Sequence, residues 1–407
     1  MSEYRELTKV AMAHIQSTDI WADEIFNDTE YAMDLDRRNV ILEGVQNRLK
    51  TLGAHYSDSD IGSIVKEINN RYKAIGISEG MPKAVSNWIK ESIPANPAYR
   101  ENLYNLCLAL GMSLQETEEF FLKYYMTIPF NYKDRIDAVY YYGLKQGKTY
   151  AEIKHILQII ESWSDEESKT DKETYMVQMD LSEIEEDDKL IEYLKDHAFA
   201  KEKQFQTARV EIERLVGLNA AVAEKESAKR ETLDDERKHH KIMGDDDRAN
   251  TNELLRVIYG FDHQSYYNGE NKGLKRMSKC ETLPERFRKR FPRNQEFSDI
   301  KNGTASPEVY RKALVILKFY NYFGERILSC LKESKSIYDY QQRDLEECQD
   351  DFEEFIQECN ACLAKCGFVA LYPRNPFDWL ILYCAHSSDP LDCFRGLLAE
   401  RYSLTEE

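Results

Sequence analysis

The sequence predicts an all-α fold, and three observations carry that expectation. Hydrophobic residues make up 42 % of the 407-residue chain and charged residues 31 %, with only ten prolines to interrupt helices. Apolar positions recur at three- and four-residue spacing, as in Val45 and Leu49 or Ile61, Ile64 and Ile68. Glycines and prolines fall between such stretches, where helices must stop. The length suffices for two or three domains.

Taken in order, residues 1–59 read as N-terminal helices, with Val40, Leu42, Val45 and Leu49 as one stripe. From Ser57, acidic and hydroxyl residues cap a helix carrying Ile61, Ile64 and Ile68. Pro82 suits a first helical turn, and Ser92 through Pro97 break the chain again. Leu103, Leu106 and Leu110 then form a core stripe that Gly111 closes. Residues 60–160 are read as one unit and 161–250 as a charged helical connector. Within the connector, 161–200 holds about fourteen acidic residues against four basic, and the apolar stripe of Phe205, Val210, Ile212, Leu215 and Leu218 fades beyond Ala223. A solvated spacer is one reading of this helix; a homodimerising coiled coil is another. The acidic block could also mask a basic surface.

The last unit, 251–407 with an insertion near 330–352, reverses the charge. About fifteen Lys and Arg face nine Asp and Glu between 251 and 330, within a chain of net charge −18. Thr282 and Pro284 begin a helix LPERFRKRF, Pro292 ends it, and Asn294 opens a second helix closed by Gly303. Phe297 and Ile300 fall on its core side.

The Leu108-Ala109-Leu110-Gly111-Met112-Ser113 run, preceded by a short helix with Trp88, Ile89 and Lys90, resembles the second half of phage-repressor-like helix-turn-helix domains. The stretch Leu283–Tyr322 has the same order of basic helix, turn, short helix and apolar helix. Tyr372-Pro373-Arg374-Asn375 is similar to an element that follows some such domains in anaerobic Firmicutes. The resemblance implies that the second, short helix enters the DNA major groove. On that basis Asn294, Gln295 and Ser298 would meet base edges, while Arg286, Arg288, Lys289, Arg290, Arg293 and Lys301 would hold phosphates. A solvated basic face, or one that binds an acidic protein, remains open on the residues alone. Phe261, Tyr266 and Tyr267 could stack on bases, though packing is the plainer role for them.

Two alignments suggest that the unit occurs twice. Ile89-Lys90 falls on Ile300-Lys301, and Tyr99-Arg100, Leu103 and Leu106 fall without a gap on Tyr310-Arg311, Leu314 and Leu317. Farther on, Asp134-Arg135-Ile136-Asp137 falls on Asn375-Pro376-Phe377-Asp378, and Tyr142 on Tyr383.

Motifs of chemistry are weak. Cys359, Cys362 and Cys366 lie at helical spacing with Phe352 and Phe355, a core stripe more than a zinc site. His239-His240 before Asp245–Asp247 lacks metal-loop spacing. Gly143-x-x-x-Gly147-Lys148 is short of a phosphate loop and follows a helix, so Gly147 reads as a C-cap. Nine scattered cysteines read as reduced thiols in a cytoplasm. No stretch approaches the roughly eighteen apolar residues of a membrane span, and the N-terminus lacks a signal pattern. The expectation is a cytoplasmic, non-enzymatic regulator without metal or cofactor that binds DNA mainly through the second unit. A helical adaptor that has lost DNA binding, acting through a protein partner in phage defence or mobile-element control, is the alternative.

Overall fold

In the computed structural model the described residues are 40–54, 56–57, 60–91, 100–161, 163, 174–197, 204–231, 250–260, 291–332, 340 and 345–399. They are helical, with no strand among them. By its internal contacts the chain divides into an N-terminal unit, residues 37–206 with 367–369, and a C-terminal unit that includes 207–366 and 370–407.

The N-terminal unit comprises α1 (Val40–Thr51), α2 (Ile61–Ala74), α3 (Lys83–Glu91), α4 (Arg100–Ala109) and α5 (Leu114–Phe120). A π-helical turn (Phe121–Tyr125) follows, then α6 (Arg135–Lys145), α7 (Tyr150–Glu161), α8 (Thr174–Glu183) and α9 (Asp187–Asp196). Side-chain caps set several starts, because the first helical N–H groups have no partner of their own. Asp60 accepts from the Gly62 N–H, Ser113 and Glu116 form a reciprocal capping box, and Asp134 accepts from Ile136 and Asp137. Gly147 is left-handed after α6 (φ +65°), as a C-cap requires.

One core runs through this unit. Ile41, Val45 and Leu49 of α1 share it with Ile64, Trp88, Leu106 and Tyr140, and with Val177, Leu181, Leu190 and Leu194 of α8 and α9. Two expected boundaries therefore fall elsewhere. The helix Val40–Thr51 packs with the unit expected to start at 60, and α8 and α9 belong to it rather than to a connector. The reason is apolar spacing inside polar sequence: Leu190 and Leu194, four apart, turn inward among acids.

The C-terminal unit comprises α10 (Gln206–Glu231), α11 (Thr251–Tyr259), α12 (Asn294–Lys301), α13 (Pro307–Lys332), α14 (Leu345–Lys365), α15 (Pro376–Ala385) and α16 (Pro390–Ala399). α10, the expected spacer, is part of this unit. Ile212 and Leu215 are buried as the stripe predicted, but Val210 and Leu218 are exposed. Alanines 208, 220 and 223 complete the buried face instead, with Val222. Small residues let α13 come close: a Cβ added at Gly324 would stand 2.7 Å from Val222 Cγ1. The buried Asn219 amide donates to the Leu317 carbonyl at 2.9 Å.

The residues aligned between the two units make matching bonds. Arg100 pairs with Asp137 at 2.9 Å, and Arg311, 211 positions later, pairs with Asp378 at 2.6 Å. All four side chains are buried or nearly so. Asp137 also accepts from the Asn131 N–H at 2.8 Å, and Asp378 from the Tyr372 N–H at 2.9 Å. Asp134 caps α6 as Asn375 caps α15. The residue that ends the preceding helix is left-handed in both, Met126 (φ 56°) and Gly367 (φ 78°). From Asn131 and Tyr372 onward the shift is 241 positions. The additional residues lengthen one hairpin: α13 has 26 residues where α4 has 10, and α14 has 21 where α5 has 7 before its π-turn.

Candidate nucleic-acid interface

α12 is held by what flanks it. Phe291 and Pro292 are buried, and Phe291 packs on Phe377 and Phe394 at centroid distances of 5.3 Å. The Tyr259 hydroxyl of α11 donates to the Pro292 carbonyl at 2.7 Å, which fixes the chain one residue before the N-cap, Arg293. The Arg293 N–H donates to Glu296 at 3.0 Å. At the other end Gly303 is left-handed (φ 73°), and Thr304 N–H returns to the Asp299 carbonyl. Phe297 and Ile300 point into the core, as their spacing predicted.

The opposite face is exposed. Arg293, Asn294, Gln295, Ser298 and Lys301 all lie on it, so five of the nine expected contact residues share one surface. Arg286, Arg288, Lys289 and Arg290, with the expected helix before Pro292, lie outside the described residues, as do Phe261, Tyr266, Tyr267 and His239-His240. Two carboxylates interleave with the five. Gln295 Nε2 donates to Asp299 at 2.9 Å, and the Arg293 guanidinium, 71 % exposed, stands 3.6 Å from Glu296. Glu296 and Asp299, three and four residues after Arg293 and Gln295, neutralise part of this face locally.

α3 of the N-terminal unit occupies the aligned place and offers less. Val85, Trp88 and Ile89 are buried, leaving Lys83 and Lys90 exposed. Between α2 and α3 runs a loop with left-handed Gly76 and Gly80, in which the Met81 N–H donates to Asn69 Oδ1 at 2.9 Å. A Cβ at Gly80 would lie 2.2 Å from that oxygen, so glycine is required there. A helix-turn-helix joins its helices by only about three or four residues, and this connection is longer.

Several other charged groups of the C-terminal unit pair with one another. Glu226 of α10 accepts from Arg395 of α16 (2.7 and 3.1 Å) and from the Tyr320 hydroxyl (2.7 Å). Burial works against the Arg395 charge, but Glu226 holds the guanidinium above its usual range. Glu211 is held down at about 2, chiefly by its hydrogen bond from Arg214 and also by Lys365. Cys359, Cys362 and Cys366 are buried beside Phe352 and Phe355, in the core stripe their spacing suggested. Burial pushes the Cys359 thiol far up, which disfavours the thiolate a metal needs. Among the described residues no group of His, Cys, Asp or Glu could hold a metal ion, and no helix is long and apolar enough to cross a membrane. Neither protein-family models, nor curated proteins, nor solved structures gave a match to this chain.

Proposed function

We propose that the chain is a DNA-binding regulator whose C-terminal unit contacts duplex DNA through α12. The observation that carries this reading is the division of α12 into two faces. Phe297 and Ile300 anchor it, while Arg293, Asn294, Gln295, Ser298 and Lys301 form one exposed polar face at and after its N-terminal end. A short helix with amides near its N-terminus and cations at its margins suits groove entry, because amides can pair with adenine while guanidinium and ammonium groups hold phosphates. The basic run at 286–290, directly before it in sequence, adds charge of the right sign.

A second reading has its own observation. Glu296 and Asp299 engage Arg293 and Gln295, and the chain carries a net charge of −18. Both features favour a helical adaptor whose α12 face meets a protein partner of mixed charge.

The test is a fluorescence-anisotropy titration of the full chain with mixed-sequence duplex at low and moderate salt. DNA binding predicts an affinity that falls steeply with salt, since each phosphate contact releases counterions. No binding at low salt would leave the adaptor as the better account.

A further inference from the structure

The outward face of α12 carries a carboxylate near its centre. A helix turns once in about 3.6 residues, so the buried Phe297 and Ile300 fix its inward direction and Gln295 falls opposite them. Asp299 stands one turn further along, beside Gln295, and Gln295 Nε2 donates to Asp299 Oδ1 at 2.9 Å. Lys301 falls on the other side of Gln295. Glu296 turns back to the start of the helix, where it accepts from the Arg293 N–H at 3.0 Å. Asp299 is therefore the acid that a ligand seated over Gln295 meets first.

The bond also orients the amide. A carboxylate only accepts, so the nitrogen of Gln295 faces Asp299 and Oε1 faces away. One amide N–H remains, together with Oε1 and the unshared lone pairs of the carboxylate. As a unit the two side chains present more acceptors than donors. Phosphate oxygens need the reverse, so this part of the face is matched to something other than the DNA backbone.

A carboxylate that enters the major groove gives up water, which costs unless a donor takes its place. Guanine shows only acceptors there, and thymine an acceptor and a methyl group; the donors are the amines of cytosine (N4) and adenine (N6). We propose, on the basis of the DNA reading of α12, that Asp299, bonded to Gln295, accepts from the exocyclic amine of a cytosine or an adenine. Asp299 is then a specificity-determining residue of this face and not a charge that merely opposes binding. The two roles differ in sign. A carboxylate that only repels phosphate strengthens binding to every duplex when it is removed. One that accepts from a base amine weakens binding to the preferred site when it is removed, while mixed-sequence duplex binds as tightly or more so.

The full-length wild type first selects duplexes from a random pool. Wild type and Asp299→Ala are then titrated by anisotropy against the selected duplex and a mixed-sequence one. In the selected duplex each restricted cytosine or adenine is replaced in turn by its analogue without the amine, pyrimidin-2-one or purine, which also tells the two bases apart. Wild type should lose about five- to a hundredfold in affinity at one such position. Asp299→Ala should be insensitive to that same replacement, bind the unmodified selected duplex more weakly than wild type, and bind mixed duplex at least as tightly. Tighter binding of Asp299→Ala to both duplexes, or equal losses from every analogue in wild type and variant, would overturn the proposal and leave DNA binding intact. Absence of wild-type binding to any duplex at low salt would remove the DNA reading, and this proposal with it.

Discussion

The two buried arginine–aspartate bridges occupy aligned positions, yet they bind differently. Arg311 directs two nitrogens at the two oxygens of Asp378, at 2.7 and 2.6 Å, and donates further to the Ala370 carbonyl. Arg100 divides its donors among Asp137, the Tyr104 hydroxyl and the carbonyls of Ile128 and Pro129, while its guanidinium lies over Tyr104 and Phe121. In both, burial works against the arginine charge, and the facing carboxylate more than restores it. One pairing has thus been kept inside two different surroundings: an aromatic stack in the N-terminal unit and a long α13–α14 hairpin in the C-terminal one. The comparison teaches that the bridge, which ties α4 to α6 and α13 to α15, is the shared element, and that the helices around it are free to lengthen.

The strongest way to break this comparison is to remove one carboxylate from each unit. Asp378→Ala and Asp137→Ala should each cost about 3–5 kcal/mol, because a buried guanidinium is left without its counter-charge. The loss should be larger for Asp378, where both oxygens serve the fork. Replacing Arg311 and Asp378 together by Met and Leu should recover much of the loss. Urea unfolding followed by circular dichroism measures all of these, and a cost below about 1 kcal/mol for both single variants would make the bridges incidental.

A smaller effect separates the helix crossings. Gly143→Ala should destabilise the N-terminal unit by about 1–3 kcal/mol through overpacking against Ile153. Thermal unfolding of that variant beside Cys384→Ala, which only removes a sulfur at the aligned position, would sharpen the distinction. Equal shifts would contradict it.

The smallest concerns pH. Burial raises the Glu118 carboxyl from 4.5 to about 7, and its charge also pushes on Tyr132. The folded state therefore holds this proton more tightly than the unfolded chain. The sign follows: the penalty is absent below about pH 4.5, grows as pH rises, and is complete above about pH 7. With allowance for the partial exposure of Glu118, Glu118→Gln should gain on the order of 1 kcal/mol at pH 8 and nothing at pH 4. Urea midpoints of wild type and variant that stay parallel across this range would sink the assignment.

Much of this was legible in the sequence, and the exceptions have physical causes. α12 was read from Pro292, Asn294 and Gly303, since caps and breakers are local signals, and its inward residues followed from spacing. The bridges were present only as an alignment. Arg100 and Asp137 lie 37 positions apart, and a charge gives no sign that it is buried until its partner is known. The place of α10 is not legible in the sequence because alanines 208, 220 and 223 carry its buried face, and alanine weighs little in a hydropathy pattern. The carboxylates interleaved on α12 are legible as spacing, Glu296 three residues after Arg293 and Asp299 four after Gln295.

The central functional claim turns on the difference between α12 and α3. Anisotropy titrations of duplex DNA at low salt should therefore compare the full-length wild type with Arg293→Ala/Lys301→Ala in α12 and Lys83→Ala/Lys90→Ala in α3. Loss of two phosphate contacts predicts an affinity weaker by about tenfold or more and a salt slope shallower by about 2 for the α12 variant, with the α3 variant close to wild type. Equal affinities for all three, or a loss confined to the α3 variant, would contradict the account.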